Sequence, residues 1–294
     1  MAEGSSWVVG LSGGSNLPLS SPQSTTNGMA AQADNSTTPI ADELTGKTAV
    51  VTGSSTGMGR AIAIELAKAG ADVLIHAHGN REAAEQTADK VRTLGRTATV
   101  VLCDLAETAN QSALVDQAWQ WSGGIDIWMN NAGVDVLTGA AADRSFEDKL
   151  DLLWKVDVVA TMRISRLVGE RMTQGGAIVN MGWDQAERGM AGDSGQMFGA
   201  IKGAVMAFTK SLAQTLAPRV RVNCVAPGWI KTSWGEQASQ SWQDRAKREA
   251  LLERWGTPED VAKVVRFLAS DAATFVTGQT IQVNGGFRYG AEDR

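Results

Sequence analysis

The stretch "AVVTGSSTGMGRAIAIELAKAG", residues 49–70, decides the fold. A β-branched run ending at Val51 enters a loop that holds Gly53, Gly57 and Gly59, and an amphipathic helical pattern follows from about Arg60 to Lys68. Bare glycines let such a loop turn tightly and approach a pyrophosphate, whose charge the first N–H groups and the dipole of the helix stabilise. A plain glycine-rich turn is the bland alternative. The strand before the loop, the helix after it and the repeat of that unit downstream argue against it.

Working outward, strand-like runs alternate with helical patterns. "DVLIHA" is followed by a helix from about Arg81 to Leu94, then "TATVVLCD" and "IDIWMNNAG". A long helix near 146–173 precedes "GAIVNMG", another near 197–216 precedes "VRVNCVAPG", and "QTIQVNGG" closes the series. Seven near-continuous apolar strands separated by helices predict an α/β fold, a Rossmann-type doubly wound parallel sheet with helices on both faces. Ligands of such sheets bind at the C-terminal ends of the strands. Residues 1–44, rich in Ser, Thr, Asn and Gly without any period, read as a disordered leader, and 45–294 as one dinucleotide-binding domain.

Composition narrows the function. A net charge of −5, from 27 basic and 32 acidic residues mixed along the chain, offers no stripe for nucleic acid and no polybasic membrane patch. Cys103 and Cys224 lie in apolar runs and read as reduced thiols. His76 and His78 stand without Cys or carboxylate at ligand spacing, so no metal is expected. No run approaches the roughly 18 apolar residues of a membrane span, and the N-terminus lacks a signal-peptide pattern. A cytoplasmic protein acting on a small molecule is the expectation.

"TGSSTGMG" resembles the TGxxxGxG fingerprint of the short-chain dehydrogenase/reductase superfamily, and further motifs follow in that family's order. "CDL" (Cys103–Leu105) is similar to its adenine-contacting segment, and "NNAG" (Asn130–Gly133) to the motif after its fourth strand. "APGWIKT" (Ala226–Thr232) resembles the loop that holds the nicotinamide carboxamide, and "GQTIQVNGG" the closing strand. The likeness spans about residues 45–288 and is nearest the 3-oxoacyl-carrier-protein reductase branch, as a likeness of sequence. It implies a nicotinamide dinucleotide held by Gly53, Ser55, Thr56, Gly57, Met58 and Gly59 at the loop. Asp104, Leu105, Asn131, Ala132 and Gly133 would follow along the strand ends, with Lys202, Pro227, Gly228, Ile230 and Thr232 around the nicotinamide. It also implies a homo-oligomer, tetramer or dimer.

The end of the second strand selects the dinucleotide, because a carboxylate there binds the ribose 2′-hydroxyl and repels a 2′-phosphate. "IHAHGNR" has no carboxylate until Glu82, whereas His78, Asn80 and Arg81 can surround a phosphate. NADP(H) is therefore favoured over NAD(H); a solvated Arg81 in the first turn of a helix is the plainer alternative.

Members of the family use a Tyr four residues before a Lys, a Ser at the end of the fifth strand and an Asn in the preceding helix. Laid onto this chain, the pattern gives Phe198 for Tyr, Lys202 for Lys, Trp183 for Ser and Asp157 for Asn. Only the Lys remains. Phe cannot move a proton, and a missing general acid costs on the order of 10²–10⁴ in rate. Asp184, between Trp183 and Gln185, is the expected replacement acid if an indole keeps it dry enough to raise its pKa; otherwise it is a loop carboxylate capping a short turn. Asp157 is expected to pair with Lys202, or to be an ordinary helix-face charge. Ser194 stands too far along the chain to replace the missing hydroxyls.

Of ten tryptophans, Trp183, Trp229, Trp234 and Trp242 fall in segments bordering the cleft, the last three in the expected lid, residues 229–250. Such rings suit a flat apolar, aromatic or cationic ligand. Trp119, Trp121, Trp128 and Trp154 read as core or interface residues. Two functions follow: an NADP(H)-dependent oxidoreductase acting on a carbonyl, imine or hydroxy compound with a non-standard proton donor, or a silent NADP(H)-binding regulatory or scaffold protein.

Overall fold

The computed structural model describes residues 42–288, and only the backbone at Ser233 and Trp234. Its strands are β1 (Thr48–Val51), β2 (Asp72–Ala77), β3 (Ala98–Leu102), β4 (Ile127–Asn130), β5 (Gly176–Met181), β6 (Val220–Pro227) and β7 (Thr280–Val283). They form one parallel sheet in the order β3-β2-β1-β4-β5-β6-β7. The order reverses between β1 and β4, which opens a crevice where a doubly wound sheet binds its ligand.

Strand alternation builds both faces. Ala49, Val51, Val73, Ile75, Ile127 and Met129 point to one core, beneath α1 (Gly57–Lys68), α2 (Arg81–Thr93) and α9 (Pro258–Ala269). Their neighbours Val50, Leu74 and Trp128 point to the other, beneath α3 (Thr108–Ser122), α5 (Thr161–Arg171) and α6 (Asp193–Leu216). Each fully buried Leu or Ile contributes about 1.5–3 kcal/mol relative to exposure.

Local signals set the helix starts. The Asn80 side chain accepts a hydrogen bond from Ala83 N–H at the start of α2, and Ser145 does the same for Asp148 N–H at α4 (Phe146–Leu153). Thr257, Pro258 and Asp260 form a capping box with Pro in the first turn of α9. The long helix expected near 146–173 is interrupted: Trp154–Ala160 is a π-helical segment between α4 and α5. Such segments are rare and concentrate at functional sites.

Of the leader read over 1–44, residues 1–41 lie outside the described residues. Asp42–Leu44 are described, and Leu44 is buried in the first core with its N–H bonded to Ala69 O, so the packed chain includes residues assigned to the leader. The expected lid holds α7 (Ser233–Gln237) and α8 (Gln240–Glu249). Trp128 is core, Trp119 and Trp121 pack partly buried beside it, and Trp154 is 47% exposed.

Candidate active site

A cavity of about 850 Å³ runs over the C-terminal ends of the strands, from the glycine loop to the lid. At one end its geometry is fixed by Thr52, whose hydroxyl accepts Asn131 N–H and Ala132 N–H, both at 3.0 Å. Asn131 Nδ2 returns to Thr52 O at 2.9 Å and Gly53 O at 3.0 Å. The "TG" after β1 and the "NAG" after β4 thus brace each other across the crevice.

The glycines are required by this bracing. Gly53 has φ +62°, and a Cβ there would come within 2.8 Å of Ala132 Cα. A Cβ at Gly59 would overlap Gly53 O and the Asn131 amide. Gly57 has φ +55° and open space where its side chain would be. A bare backbone beside a helix N-terminus fits a dinucleotide pyrophosphate.

His76, set aside in the sequence as a solitary histidine, lines this end. Gly53 N–H donates to its Nδ1 at 3.1 Å, which leaves the ring proton on Nε2, 3.1 Å from Cys103 O. Burial lowers its pKa to about 4 despite the opposing bond to Cys103. The folded state therefore keeps His76 neutral where the unfolded chain, with pKa near 6.5, takes up a proton. Stability is complete above pH 6.5 and lost as pH falls toward 4: about 2 kcal/mol between pH 7 and pH 5. Urea unfolding at the two pH values should show this loss, and His76→Gln should remove it.

Ser55, Thr56, Met58, His78, Asp104 and Leu105 also line the cavity. Asn80 and Arg81 do not: Asn80 is occupied as a helix cap, and Arg81 lies 3.9 Å from Glu85. His78 Nδ1 stands 3.4 Å from Asp104 Oδ1.

At the other end, Lys202 Nζ donates to Asp157 Oδ2 at 2.8 Å, and Val134 N–H donates to Asp157 Oδ1 at 3.0 Å. Asp157, only 3% exposed, comes from the π-helical segment. A Cβ on Gly133 would lie 2.8 Å from its Oδ2, so this glycine makes room for the carboxylate. Pro227, Gly228, Ile230 and Thr232 border the same end.

Ser194, Phe198 and Lys202 follow at four-residue steps on α6 and all line the cavity. The helix begins at Asp193, earlier than its expected start near 197. Ser194 therefore sits one turn, about 6 Å of rise, before Phe198. The expectation that it lies too far away was a count along the chain, and it is corrected by the helix. Trp183 meets Phe198 edge to face, with ring centroids 6.3 Å apart.

Asp184 departs from its expected place. It is absent from the cavity wall, and its Oδ2 accepts from Arg188 at 2.8 Å and Asn284 at 3.0 Å. Burial pushes its pKa up, outweighing the Asn284 bond and the Arg188 charge. The raised pKa expected of a dry carboxylate is there, but it arises in a pocket shared with the end of β7, behind Gly228 of the cavity wall, where an added Cβ would lie 3.1 Å from Asp184 Oδ2.

Trp229, Trp242 and Trp255 complete the lid end. Trp229 lies 5.4 Å from Trp242 and 6.0 Å from Trp255. Trp229 Nε1–H donates to Glu249 at 2.7 Å, tying α8 to the end of β6. The side chain of Trp234 lies outside the described residues. Among the described residues no group of His, Cys, Asp or Glu is placed to hold a metal, and no helix is long and apolar enough to cross a membrane.

Known proteins resemble this chain in sequence and fold. The family described as Enoyl-(Acyl carrier protein) reductase matches residues 53–288. A 3-oxoacyl-[acyl-carrier-protein] reductase of Aquifex aeolicus is 36% identical over 83% of this chain and 98% of its own. Tropinone reductase-like 3 of Erythroxylum coca is 32% identical over 82% and 93%. Among solved structures, a short-chain dehydrogenase from Burkholderia cenocepacia in complex with NADP superposes with a TM-score of 0.76, at 33% identity over 83% of this chain and 98% of that one. A short-chain dehydrogenase/reductase from Serratia marcescens gives 0.77, at 34% identity over 83% and 99%. With the sheet order, the braced glycine loop and a match over most of its length, this chain belongs to the short-chain dehydrogenase/reductase family of oxidoreductases.

Proposed function

We propose that the protein is an NADP(H)-dependent oxidoreductase that reduces a small unsaturated carbon centre, C=O or C=N, without the family's usual proton donor. The observation that carries this reading is the Lys202–Asp157 pair at the far end of a cavity whose near end is a glycine loop. In this reading Gly53, Ser55, Thr56, Met58 and Gly59 hold the pyrophosphate, and Gly57 frees the helix start. Asp104, Leu105, Asn131, Ala132 and Gly133 flank the adenosine and ribose. Lys202 donates to the nicotinamide ribose, held in direction by Asp157, while Pro227, Gly228, Ile230 and Thr232 seat the carboxamide. When bound, a reduced nicotinamide supplies a hydride.

The preference for NADP(H) rests on the absence of a carboxylate from residues 78–81 and on the exposed Arg81, which can turn toward a 2′-phosphate. Phe198 offers only carbon, and Trp183 an indole N–H far too weakly acidic to give up, where a carbonyl oxygen would need a proton. Asp184, engaged by Arg188 and Asn284, is given a structural role. Any proton the product needs then comes from solvent or by way of Ser194. Exposed Leu251, Leu252, Phe267 and Phe275 support assembly with further copies of the chain.

The test follows reduced-nicotinamide absorbance with ketones, quinones and imines. Turnover should occur with NADPH in preference to NADH and survive Asp184→Asn. NADPH that binds but is consumed with no compound class would contradict the reading and leave a silent binder.

A further inference from the structure

We infer that the substrate is a cation, an iminium ion whose carbon accepts hydride without any proton from the protein. This rests on the oxidoreductase reading above and narrows it to a substrate class. The cavity wall that Lys202 shares is rich in carbon, with Val134, Leu152, Val156, Met181, Trp183 and Phe198, and carries the Ser194 hydroxyl.

Two charged side chains line this half of the cavity among the described residues, Lys202 and Asp135. The Lys202 ammonium is balanced by Asp157 at 2.8 Å, so it does not present an uncompensated positive charge to a cation. Asp135 accepts from Leu137 N–H at 2.8 Å and Thr138 N–H at 3.1 Å, and from the Thr138 hydroxyl. Its carboxylate adds negative potential at the rim, where it is exposed.

The lid end is aromatic, and its rings already meet a cation. The Arg245 guanidinium carbon lies 5.7 Å from the Trp229 centroid and 5.0 Å from that of Trp242, and Glu249 balances its charge at 2.6 Å. Trp229, Trp242 and Trp255 also border the cavity, as do Trp183 and Phe198, the latter one turn before Lys202 on α6. Aromatic faces attract cations by their ring quadrupole, most strongly where water is excluded.

The chemistry agrees with the wall. Reduction of a ketone forms a C–H bond and leaves charge on oxygen, which needs a donor beside it. Reduction of an iminium ion forms the C–H bond while the C=N π pair becomes the nitrogen lone pair. Both electrons come with the hydride of the reduced nicotinamide dinucleotide, which is oxidised, and no proton moves. A site with Phe198 and Trp183 at the two positions where an acidic hydroxyl would help, and Ser194, a poor acid, as the hydroxyl on the wall, is better suited to that reaction than to the other.

The test uses the N-methyl dihydroisoquinolinium cation and α-tetralone, a neutral bicyclic ketone of similar shape. In calorimetry on the full chain without dinucleotide, the cation should bind about tenfold tighter than the ketone, and Trp242→Leu should remove about as much. With NADPH, kcat/KM for the cation, corrected for the enzyme-free reaction, should exceed that for α-tetralone by roughly 100-fold or more. That rate should be flat across pH 6–9, because the fixed cation neither gains nor loses a proton. Equal binding of the two compounds, or a ketone rate matching the cation rate, overturns the proposal. NADPH-dependent ketone reduction at a rate matching the cation's would do so while leaving the oxidoreductase reading intact. Failure to bind either dinucleotide would remove that reading, and the calorimetric comparison would still decide whether the cavity selects cations.

Discussion

The double substitution Trp183→Ser, Phe198→Tyr is expected to create a ketone reductase, raising the NADPH-dependent rate on α-tetralone by about 10²–10⁴ over the natural protein. Phe198 lies one turn before Lys202 on α6 and lines the same cavity, so a tyrosine there would add a hydroxyl beside an ammonium. An ammonium one turn away can donate to that hydroxyl and hold it as a proton donor to a carbonyl oxygen. Trp183 must change as well, since its ring packs on Phe198 at 6.3 Å and stands at the position where the family pattern has the serine hydroxyl. Each single substitution should give only a small part of the gain, because proton donor and oxygen-binding hydroxyl act together. Initial rates for the four proteins measure this. A double variant that binds NADPH and gains nothing would show that the cavity positions ketone and dinucleotide incorrectly for reasons beyond the missing hydroxyls.

Lys202→Met should cost about 3–5 kcal/mol of stability, far more than an exposed lysine would. Asp157 is 3% exposed and keeps only the Val134 N–H when the ammonium is gone, so a carboxylate is left charged in a dry place. Adding Asp157→Asn should recover most of the loss, since an amide oxygen still accepts from Val134 and carries no charge. Chemical denaturation of the two singles and the double forms a cycle that isolates the coupling. If Lys202→Met unfolds at the same denaturant concentration as the natural protein, the two groups do not act as a pair.

The parts of this molecule legible in its sequence are those where geometry leaves few residue types. The loop after β1 needs Gly53 and Gly59 because a methyl group would strike Ala132 or Gly53 O, and that need appears as a motif. The strands of a doubly covered sheet must be apolar on both faces, so they appear as runs. The Asp157–Lys202 contact was also legible, since the expected pairing joins two motifs whose places in the fold were known.

What stayed hidden depended on contacts distant in sequence or on helix details without a signature. Asp184 reads as a cleft acid from its neighbour Trp183, but its partner Asn284, to which it is bonded behind the cavity wall, is 100 residues away. Nothing in "WKVDVVA" announces a π-helical segment. α3, rich in Gln and Ala with a weak apolar stripe, passes unnoticed between β3 and β4. α9 also passes unread, although "TPED" carries the capping box and the proline of a helix N-terminus. Trp255 escaped because it follows the lid in sequence and joins it only in space, against Trp229.

The cavity is expected to bind a nicotinamide dinucleotide by its glycine loop and to prefer the phosphorylated form. Calorimetric titration of the full chain with NADPH and NADH tests it most directly. One site per chain, tighter for NADPH than for NADH and abolished by Gly59→Ala in a still-folded protein, is the predicted result. Heats indistinguishable from dilution for both dinucleotides, or binding unchanged by Gly59→Ala, would contradict it.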